Sequence, residues 1–294
     1  MKRIGIVGVG LLGSAVASRL LSAGYAVAGY DTRPEQLSAL AGQGLRAASS
    51  IADAAEGADA VFTVLPSLDS AEAVVTGKGG LVESAAKGTV VIQMSTISPD
   101  LCKRLASASE SAGLPFLDAP ISGTSAMVAR GDCTILTGGD PEVERRCAPV
   151  LSAIAPKVVH MGPIGAAALA KLVTNMLVAL NTVATAEALV LAAKGGLAPD
   201  AMLNLLSNSA ASSRMLEIRG PLMVKGEYPP QMKLDLFLKD IRLMLEAGDA
   251  LGAPLPLTTA AQRLYAASAD SDRAGQDLAV VITELERMAG LDRS

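Results

Sequence analysis

Short apolar runs alternate with more polar stretches along the first half of the chain. The apolar runs are rich in β-branched residues and have the length of strands, so they predict buried β-strands. They cover residues 4–7, 25–30, 58–66, 89–94, 116–121, 133–137 and 157–161. Because short apolar strands that alternate with helices are typical of a doubly wound parallel sheet, we expect an α/β domain at residues 1–163.

The strand-like runs stop at about residue 162, and from Gly165 the pattern is helical only. Residues 166–194 contain no proline or glycine and are rich in alanine and leucine, which favour helix. At ~1.5 Å per residue this helix would be about 44 Å long, enough to link two domains. Shorter helices are expected at 199–208, 212–223, 233–251, 256–268 and 276–288. The pattern thus predicts an all-helical second domain at 164–294, joined to the first by a helix at about 165–194.

A glycine-rich turn joins the first predicted strand to the first helix. Gly8, Gly10 and Gly13 form the pattern G-x-G-x-x-G directly after residues 4–7. The first glycine permits the positive φ of a tight turn, the second lets a pyrophosphate approach the backbone, and the third allows close helix–strand packing. Since a helix N-terminus attracts anions, the turn predicts a Rossmann dinucleotide site.

The dinucleotide groove would continue along the carboxyl ends of the neighbouring strands. Asp31 ends the second strand, 18 residues after Gly13, where a carboxylate can hold the adenosine ribose. A carboxylate there repels a 2′-phosphate and favours NAD, whereas Arg33 would partly reverse this preference and leaves NADP possible. Three residues that follow two further strands should line the same groove: Leu65, Pro66 and Thr96.

Composition narrows the class of protein. The net charge over 294 residues is −4, with no basic tract and no tryptophan, so nothing favours a nucleic-acid surface. The three cysteines form no C-x-x-C pair, which is typical of a reduced, intracellular protein. The longest apolar stretch, near 176–193, contains Asn181 and Glu187, so we expect no membrane span and a cytoplasmic location.

An enzyme that oxidises an alcohol with a nicotinamide cofactor also needs a base for the hydroxyl proton. The one histidine, His160, falls in a predicted strand and is better explained as a packed or rim residue. None of the four tyrosines has a lysine four residues later, and no Cys/His cluster indicates a metal site. A lysine remains as the candidate base.

The long helix carries a polar stripe on an otherwise apolar surface. At ~100° per residue, its members fall within an arc of about 120°. They are Lys171, Thr174, Asn175, Asn181, Thr182 and Thr185. Buried polar groups must be hydrogen-bonded or face a cavity, and burial would lower the pKa of Lys171. A polar helix–helix contact or a surface lysine is the alternative explanation.

Four motifs occur in order along the chain. They are the turn at 8–13, the segment 118–125 (DAPISGTS) continuing to 137–139, the segment 162–165 with Lys171 and Asn175, and the segment 238–241 followed by Gly252 and 254–258. Together they resemble the β-hydroxyacid dehydrogenases, the family of 3-hydroxyisobutyrate dehydrogenase and tartronate semialdehyde reductase. The resemblance covers nearly the whole chain.

The resemblance implies hydride transfer between a nicotinamide cofactor and a short 3-hydroxy carboxylate or its semialdehyde. It implies that Lys171 is the general acid/base. The other site residues it implies are Ser122, Gly123, Thr124, Asn175 and Lys239 for the substrate, and Leu11, Leu12, Asp31, Leu65, Thr96 and again Lys239 for the cofactor. For Lys239 an ion pair with a neighbouring acid is the alternative.

The chain departs from the family pattern in its anion-binding loop. The family often has Ser-Gly-Gly where this chain has Ser-Gly-Thr, so Thr124 adds a hydroxyl and a methyl and leaves the substrate's identity open. An imine reductase on the same scaffold is one alternative, although such relatives generally replace the lysine. A catalytically silent dinucleotide-binding sensor is another. The apolar surface of the long helix also predicts a homodimer or homotetramer.

Overall fold

The computed structural model describes residues 1–291. The chain divides into two compact units, Met1–Lys171 and Leu172–Ser294. The first unit is built around a β-sheet and the second is helical, and the division falls within the long helix that the sequence predicts.

The described part of the first unit contains one nine-stranded sheet. Its strands are β1 (Arg3–Val7), β2 (Ala26–Tyr30), β3 (Arg46–Ala47), β4 (Ala60–Thr63), β5 (Val90–Gln93), β6 (Phe116–Asp118), β7 (Ile121–Ser122), β8 (Thr134–Gly138) and β9 (Lys157–Gly162). The order is β3-β2-β1-β4-β5-β6-β8-β7, with β9 paired to β8. Neighbours from β3 to β6 are parallel, whereas β8 is antiparallel to β6 and β7. The predicted doubly wound sheet is confirmed. At one end, where β8 pairs with β6, β7 and β9, it contains both antiparallel and parallel pairs.

Helices follow most strands of this sheet. They are α1 (Leu11–Ser22), α2 (Pro34–Ala41), α3 (Ile51–Ala55), α4 (Leu68–Thr76), α5 (Leu81–Ser84), α6 (Pro99–Ser111), α7 (Ser125–Arg130) and α8 (Pro141–Ile154). Adjacent strand residues enter two different apolar cores: Phe62 and Leu117 lie in one, Val61 and Phe116 in the other. Because the strands are buried on both faces, their sequences are continuous apolar runs rather than alternating ones.

The second unit contains helices and one β-bridge, between Lys233 and Asp277, in its described part. Its helices are most of α9 (Ala166–Lys194), α10 (Pro199–Ser207), α11 (Arg214–Lys225), α12 (Leu234–Leu251), α13 (Pro256–Ser268) and α14 (Val281–Ala289). A π-helical turn at Ala269–Arg273 follows α13, and a 3₁₀ turn at Leu278–Val280 precedes α14. The predicted helical character of this part is confirmed.

A buried ion pair braces the loop before α12. Arg219 Nε lies 3.0 Å from Asp277 Oδ1, with side chains only 3% and 0% exposed. Asp277 Oδ2 accepts the N–H groups of Gln231 and Met232, at 3.2 and 3.0 Å. One cation and several N–H groups thus compensate the buried carboxylate, as a charge in this environment requires.

Helix α9 is long and apolar enough to cross a membrane by length and composition alone. Several of its polar groups nevertheless have partners within the second unit. The hydroxyl groups of Thr182 and Thr185 donate to carbonyl oxygens one turn earlier, each at 2.7 Å. Tyr265 of α13 donates its hydroxyl proton to the carbonyl oxygen of Ala179 at 3.0 Å. We therefore assign α9 as a core helix, and these two threonines as structural members of the polar stripe.

Candidate active site

The glycine turn after β1 leaves room for a phosphate. Gly8 has φ +93°, and a Cβ there would lie 2.2 Å from the carbonyl oxygen of Val64. A Cβ at Gly13 would lie 2.0 Å from the carbonyl oxygen of Gly8. At Gly10, in contrast, a Cβ would have only Arg33 within 4 Å, at 3.7 Å. Gly10 begins α1 without a side-chain cap, so the space beside it fits the pyrophosphate of a dinucleotide.

Asp31, directly after β2, braces this turn. Its Oδ2 accepts the N–H of Val9 at 2.8 Å, and its Oδ1 accepts the N–H of Arg33 at 2.9 Å. The Arg33 side chain is 59% exposed, with its Nε 3.5 Å from the same Oδ1. Because a carboxylate oxygen can accept a second hydrogen bond, Asp31 can still receive ribose hydroxyls. The exposed guanidinium can meet a 2′-phosphate, so the residues fit NAD and leave NADP possible.

The loops after β4 and β5 are tied together at the same sheet edge. The N–H of Leu65 donates to Ser95 Oγ at 2.7 Å, and the N–H of Ser95 donates to Gln93 Oε1 at 3.2 Å. Sequence reasoning did not single out Gln93, whose link to Ser95 depends on the packing of the strand end. The other predicted cofactor residues of this unit begin α1 or follow β4 and β5: Leu11, Leu12, Pro66 and Thr96.

The predicted anion-binding loop connects β7 to α7. Gly123 has φ +151°, and a Cβ there would lie 2.9 Å from the Cβ of Cys133, so the loop is packed closely against the strand behind it. Thr124 is the N-cap of α7, since its hydroxyl accepts the N–H of Met127 at 3.3 Å. The Thr124 oxygen therefore has a structural task, while its hydroxyl proton is still a possible donor. Ser122 lies half-buried at the end of β7.

Lys171 lies in the second turn of α9 and is 7% exposed. A carboxylate at the end of β6 caps the start of this helix: Asp118 Oδ2 accepts the N–H of Gly165 at 3.2 Å and that of Ala168 at 2.9 Å. Burial raises the pKa of Asp118 to about 6, although the helix N–H groups and the Cys102 thiol favour its charged form. The sequence alone did not predict this role for Asp118. The one indication of it was that Asp118 is the first residue of the segment 118–125.

In the second unit, Asp240 of α12 joins two of the predicted site residues. Asn175 is 4% exposed, and its Nδ2 donates to Asp240 Oδ2 at 2.8 Å. The Nζ of Lys239 lies 3.0 Å from Asp240 Oδ1, so the alternative of an ion pair for this lysine is observed. Because an ionised carboxylate only accepts hydrogen bonds, Asp240 assigns the orientation of the Asn175 amide. The Asn175 Oδ1 is thereby left as an acceptor.

The single histidine lies outside these groups. The side chain of His160, on β9, is 37% exposed, and its Nδ1 lies 2.5 Å from Glu144 Oε2. It is a rim residue, in agreement with the interpretation of the sequence. Within residues 1–291, no three His, Cys, Asp or Glu side chains come together as candidate metal ligands.

A glycine turn at an open helix N-terminus is typical of the dinucleotide-binding domains of nicotinamide-dependent oxidoreductases. A family model described as the NAD binding domain of 6-phosphogluconate dehydrogenase matches residues 3–162. A second model, described as NAD-binding of NADP-dependent 3-hydroxyisobutyrate dehydrogenase, matches residues 165–285. The chain belongs to the β-hydroxyacid dehydrogenase family.

Individual relatives agree with this assignment. The chain is 34% identical to an L-threonate dehydrogenase of Cupriavidus necator, covering 96% of this chain and 95% of that protein. It is 32% identical to a 2-(hydroxymethyl)glutarate dehydrogenase of Eubacterium barkeri, covering 99% and 97%. The crystal structure of a 3-hydroxyisobutyrate dehydrogenase from Salmonella typhimurium matches with a TM-score of 0.89 at 30% identity, covering 96% and 99%. The chain is thus an NAD(P)-dependent hydroxyacid dehydrogenase.

Proposed function

We propose that this protein oxidises a short 3-hydroxy carboxylate, or reduces the matching semialdehyde, with Lys171 as the general acid/base. The observation that carries the proposal is the burial of Lys171 one helical turn before Asn175, whose amide is oriented by Asp240. The bound nicotinamide supplies the acceptor or donor of the hydride. During oxidation Lys171 takes the hydroxyl proton of the substrate, and during reduction it returns that proton to the new alcohol oxygen.

The substrate carboxylate is assigned to the loop after β7. Ser122, Gly123 and Thr124 offer hydroxyl and backbone N–H donors, which form charge-assisted hydrogen bonds with an anion. Support comes from the close packing of Gly123 against Cys133, whose Cβ would lie 2.9 Å from a Cβ at Gly123. Asn175 orients the substrate, and Lys239 serves the nicotinamide end and the substrate.

The proposal extends to the cofactor, the cellular location, the partners and the oligomeric state of the enzyme. The cofactor is NAD, with NADP possible, and Asp31 and Arg33 are the residues that decide between them. The protein acts in the cytoplasm on a small carboxylate, without nucleic acid or membrane as partner. We also expect a homodimer or homotetramer, since α9 exposes Val173, Leu177 and Leu191 by 50%, 53% and 75%, and several large apolar side chains exposed on one helix favour a protein partner.

The proposal is tested by following reduced nicotinamide absorbance with a panel of hydroxy acids. The panel holds 3-hydroxyisobutyrate, 3-hydroxypropionate, D-glycerate, L-serine, L-threonate and 4-hydroxybutyrate, each with NAD and with NADP. The variants are Lys171→Ala and, as a matched control, Lys194→Ala at the exposed far end of the same helix. General acid–base catalysis contributes roughly 10²–10⁴-fold, so we expect a loss of that order in kcat for Lys171→Ala alone.

Cofactor affinity, measured by calorimetry, should be unchanged in both variants. Turnover of Lys171→Ala within tenfold of the wild type would contradict the assigned role of the lysine. Tight cofactor binding with no turnover of any panel member would instead favour reduction of an untested aldehyde or imine, or the dinucleotide sensor.

A further inference from the structure

The carboxylate of Asp118 lies in the core of the first unit, between α6 and the start of α9. It is 2% exposed. The N–H groups of Gly165, Ala167 and Ala168 donate to it, and so does the thiol of Cys102. Ala167 and Ala168 lie in the first turn of α9, and Gly165 directly precedes it; backbone donors at a helix start have no partner within the helix.

The glycines of the second and third motifs make room for this contact. Gly138 of β8 is the antiparallel neighbour of Asp118. A Cβ at Gly138 would lie 2.9 Å from the carbonyl oxygen of Pro163, 3.2 Å from the Ala167 nitrogen and 3.4 Å from Asp118 Oδ2. Gly165, with φ +90°, turns the chain into the helix. The segments 137–139 and 162–165 therefore pack around the start of α9 and leave space for its contact with Asp118.

A buried carboxylate is an expensive way to cap a helix. Elsewhere in the chain the neutral hydroxyl of a serine does this for four helices: Ser50 for α3, Ser67 for α4, Ser98 for α6 and Ser213 for α11. At α9 the cap carries a charge that burial disfavours, as the raised pKa of Asp118 indicates. A neutral cap would serve the helix alone at lower cost, so the negative charge itself needs an explanation.

That explanation is the lysine one turn further along the helix. Lys171 follows Ala168 by three residues, or about 4.5 Å along the axis. The positive end of the helix dipole disfavours an ammonium at this place, and the anion at the cap opposes this effect. Two titratable side chains of α6 lie beside this helix start: the Cys102 thiol, which donates to Asp118, and Lys103, which packs against Gly165 and whose exposed ammonium lies 3.8 Å from Asp100.

We propose that Asp118 is a positioning residue for Lys171: it fixes the first turn of α9 and supplies the negative charge that tunes the lysine's proton affinity. The inference rests on the proposed role of Lys171 for its catalytic consequence, but not for its effect on the lysine itself. Removal of the charge disfavours the ammonium, so the pKa of Lys171 should fall.

The test uses Asp118→Asn, which keeps one acceptor oxygen for the helix N–H groups, removes the charge and replaces the second oxygen by an NH2 group. Asp118→Ser serves as a second uncharged variant. The matched control is Asp140→Asn, the same change at the exposed N-cap of α8. Competitive acetylation with trace acetic anhydride over a pH series, read by mass spectrometry, gives the pKa of Lys171 without any turnover. We expect it to fall by roughly one pH unit in both Asp118 variants and not in the control.

Kinetics give the second measurement. In the oxidative direction the lysine must be neutral, so the acid limb of the pH profile of kcat should move to lower pH by the same amount. Cofactor affinity should stay unchanged. An unaltered Lys171 pKa in both folded Asp118 variants would overturn the inference and reduce Asp118 to a helix cap. If Lys171→Ala retains turnover while the acetylation shift is found, the proposed function fails and the effect of Asp118 on Lys171 stands.

Discussion

Replacement of Asp118 by asparagine should stabilise the protein at neutral pH, and the gain should disappear in acid. The pKa of Asp118 is raised from 3.8 to about 6 by burial. Each pKa unit corresponds to about 1.4 kcal/mol, so the shift of about two units means that folding with a charged Asp118 costs about 3 kcal/mol. Asparagine has nearly the same shape and no charge, and it therefore avoids this cost.

The sign of the pH dependence follows from proton uptake. Between pH 4 and pH 6 the native state holds a proton on Asp118 that the unfolded chain has already released. Stability conferred by this group is therefore fully present below its unfolded pKa and is lost as the pH rises through about 6. The asparagine variant lacks this loss, so its advantage should grow by up to about 3 kcal/mol between pH 4 and pH 7.

Urea unfolding followed by circular dichroism, at several values between pH 4 and pH 8, measures this difference. Asp140→Asn, at an exposed cap, should show no such pH-dependent gain. An Asp118→Asn variant that is less stable than the wild type by the same amount at every pH would refute the reasoning. It would mean that folding leaves the pKa of Asp118 unshifted and that asparagine only packs less well at this position.

Two other substitutions test the second unit. Asp240→Ala removes the acceptor of the buried Asn175 amide and one ion-pair partner of Lys239, so kcat/KM should fall about 10- to 100-fold; steady-state kinetics measure this, with the exposed Asp235→Ala of the same helix as control. Arg219→Leu leaves a buried carboxylate without its cation and should cost about 3–5 kcal/mol; a urea midpoint corresponding to less than 1 kcal/mol would contradict the importance of the Arg219–Asp277 pair.

Much of the fold could be predicted because its signals are local. The apolar runs and the glycine turn each depend on neighbouring residues, and so does the helix without proline or glycine at 166–194. The two-residue strands Arg46–Ala47 and Ile121–Ser122 were not predicted as separate strands, since so short a segment carries no periodicity and exists only by pairing. The antiparallel pairing of β7 with β8 was not predicted for the same reason, because it exists only through contacts between the two strands.

The candidate site was predictable as a set of residues but not as a set of contacts. Lys171 and Asn175 stand out because polar side chains on an apolar helix need partners. The partner of Asn175 is 65 residues away, and the carboxylate that caps α9 is 47 and 50 residues from the N–H groups it meets. No local pattern marks Asp118 or Asp240 as buried, because burial of a carboxylate is decided by the packing of separate elements.

The orientation of the Asn175 amide determines which hydrogen bonds it can make with the proposed substrate. Because its Nδ2 uses one N–H for Asp240, Asn175 can offer a ligand its second N–H and, on the other side of the amide, the Oδ1 acceptor. A carboxylate is acceptor-only and would be repelled there, whereas the hydroxyl of a hydroxy acid is a donor and would be accepted. The loop 122–124 supplies further N–H and O–H donors for the substrate carboxylate. Under the proposed function, Asp240 thus determines which side of the Asn175 amide accepts the substrate hydroxyl.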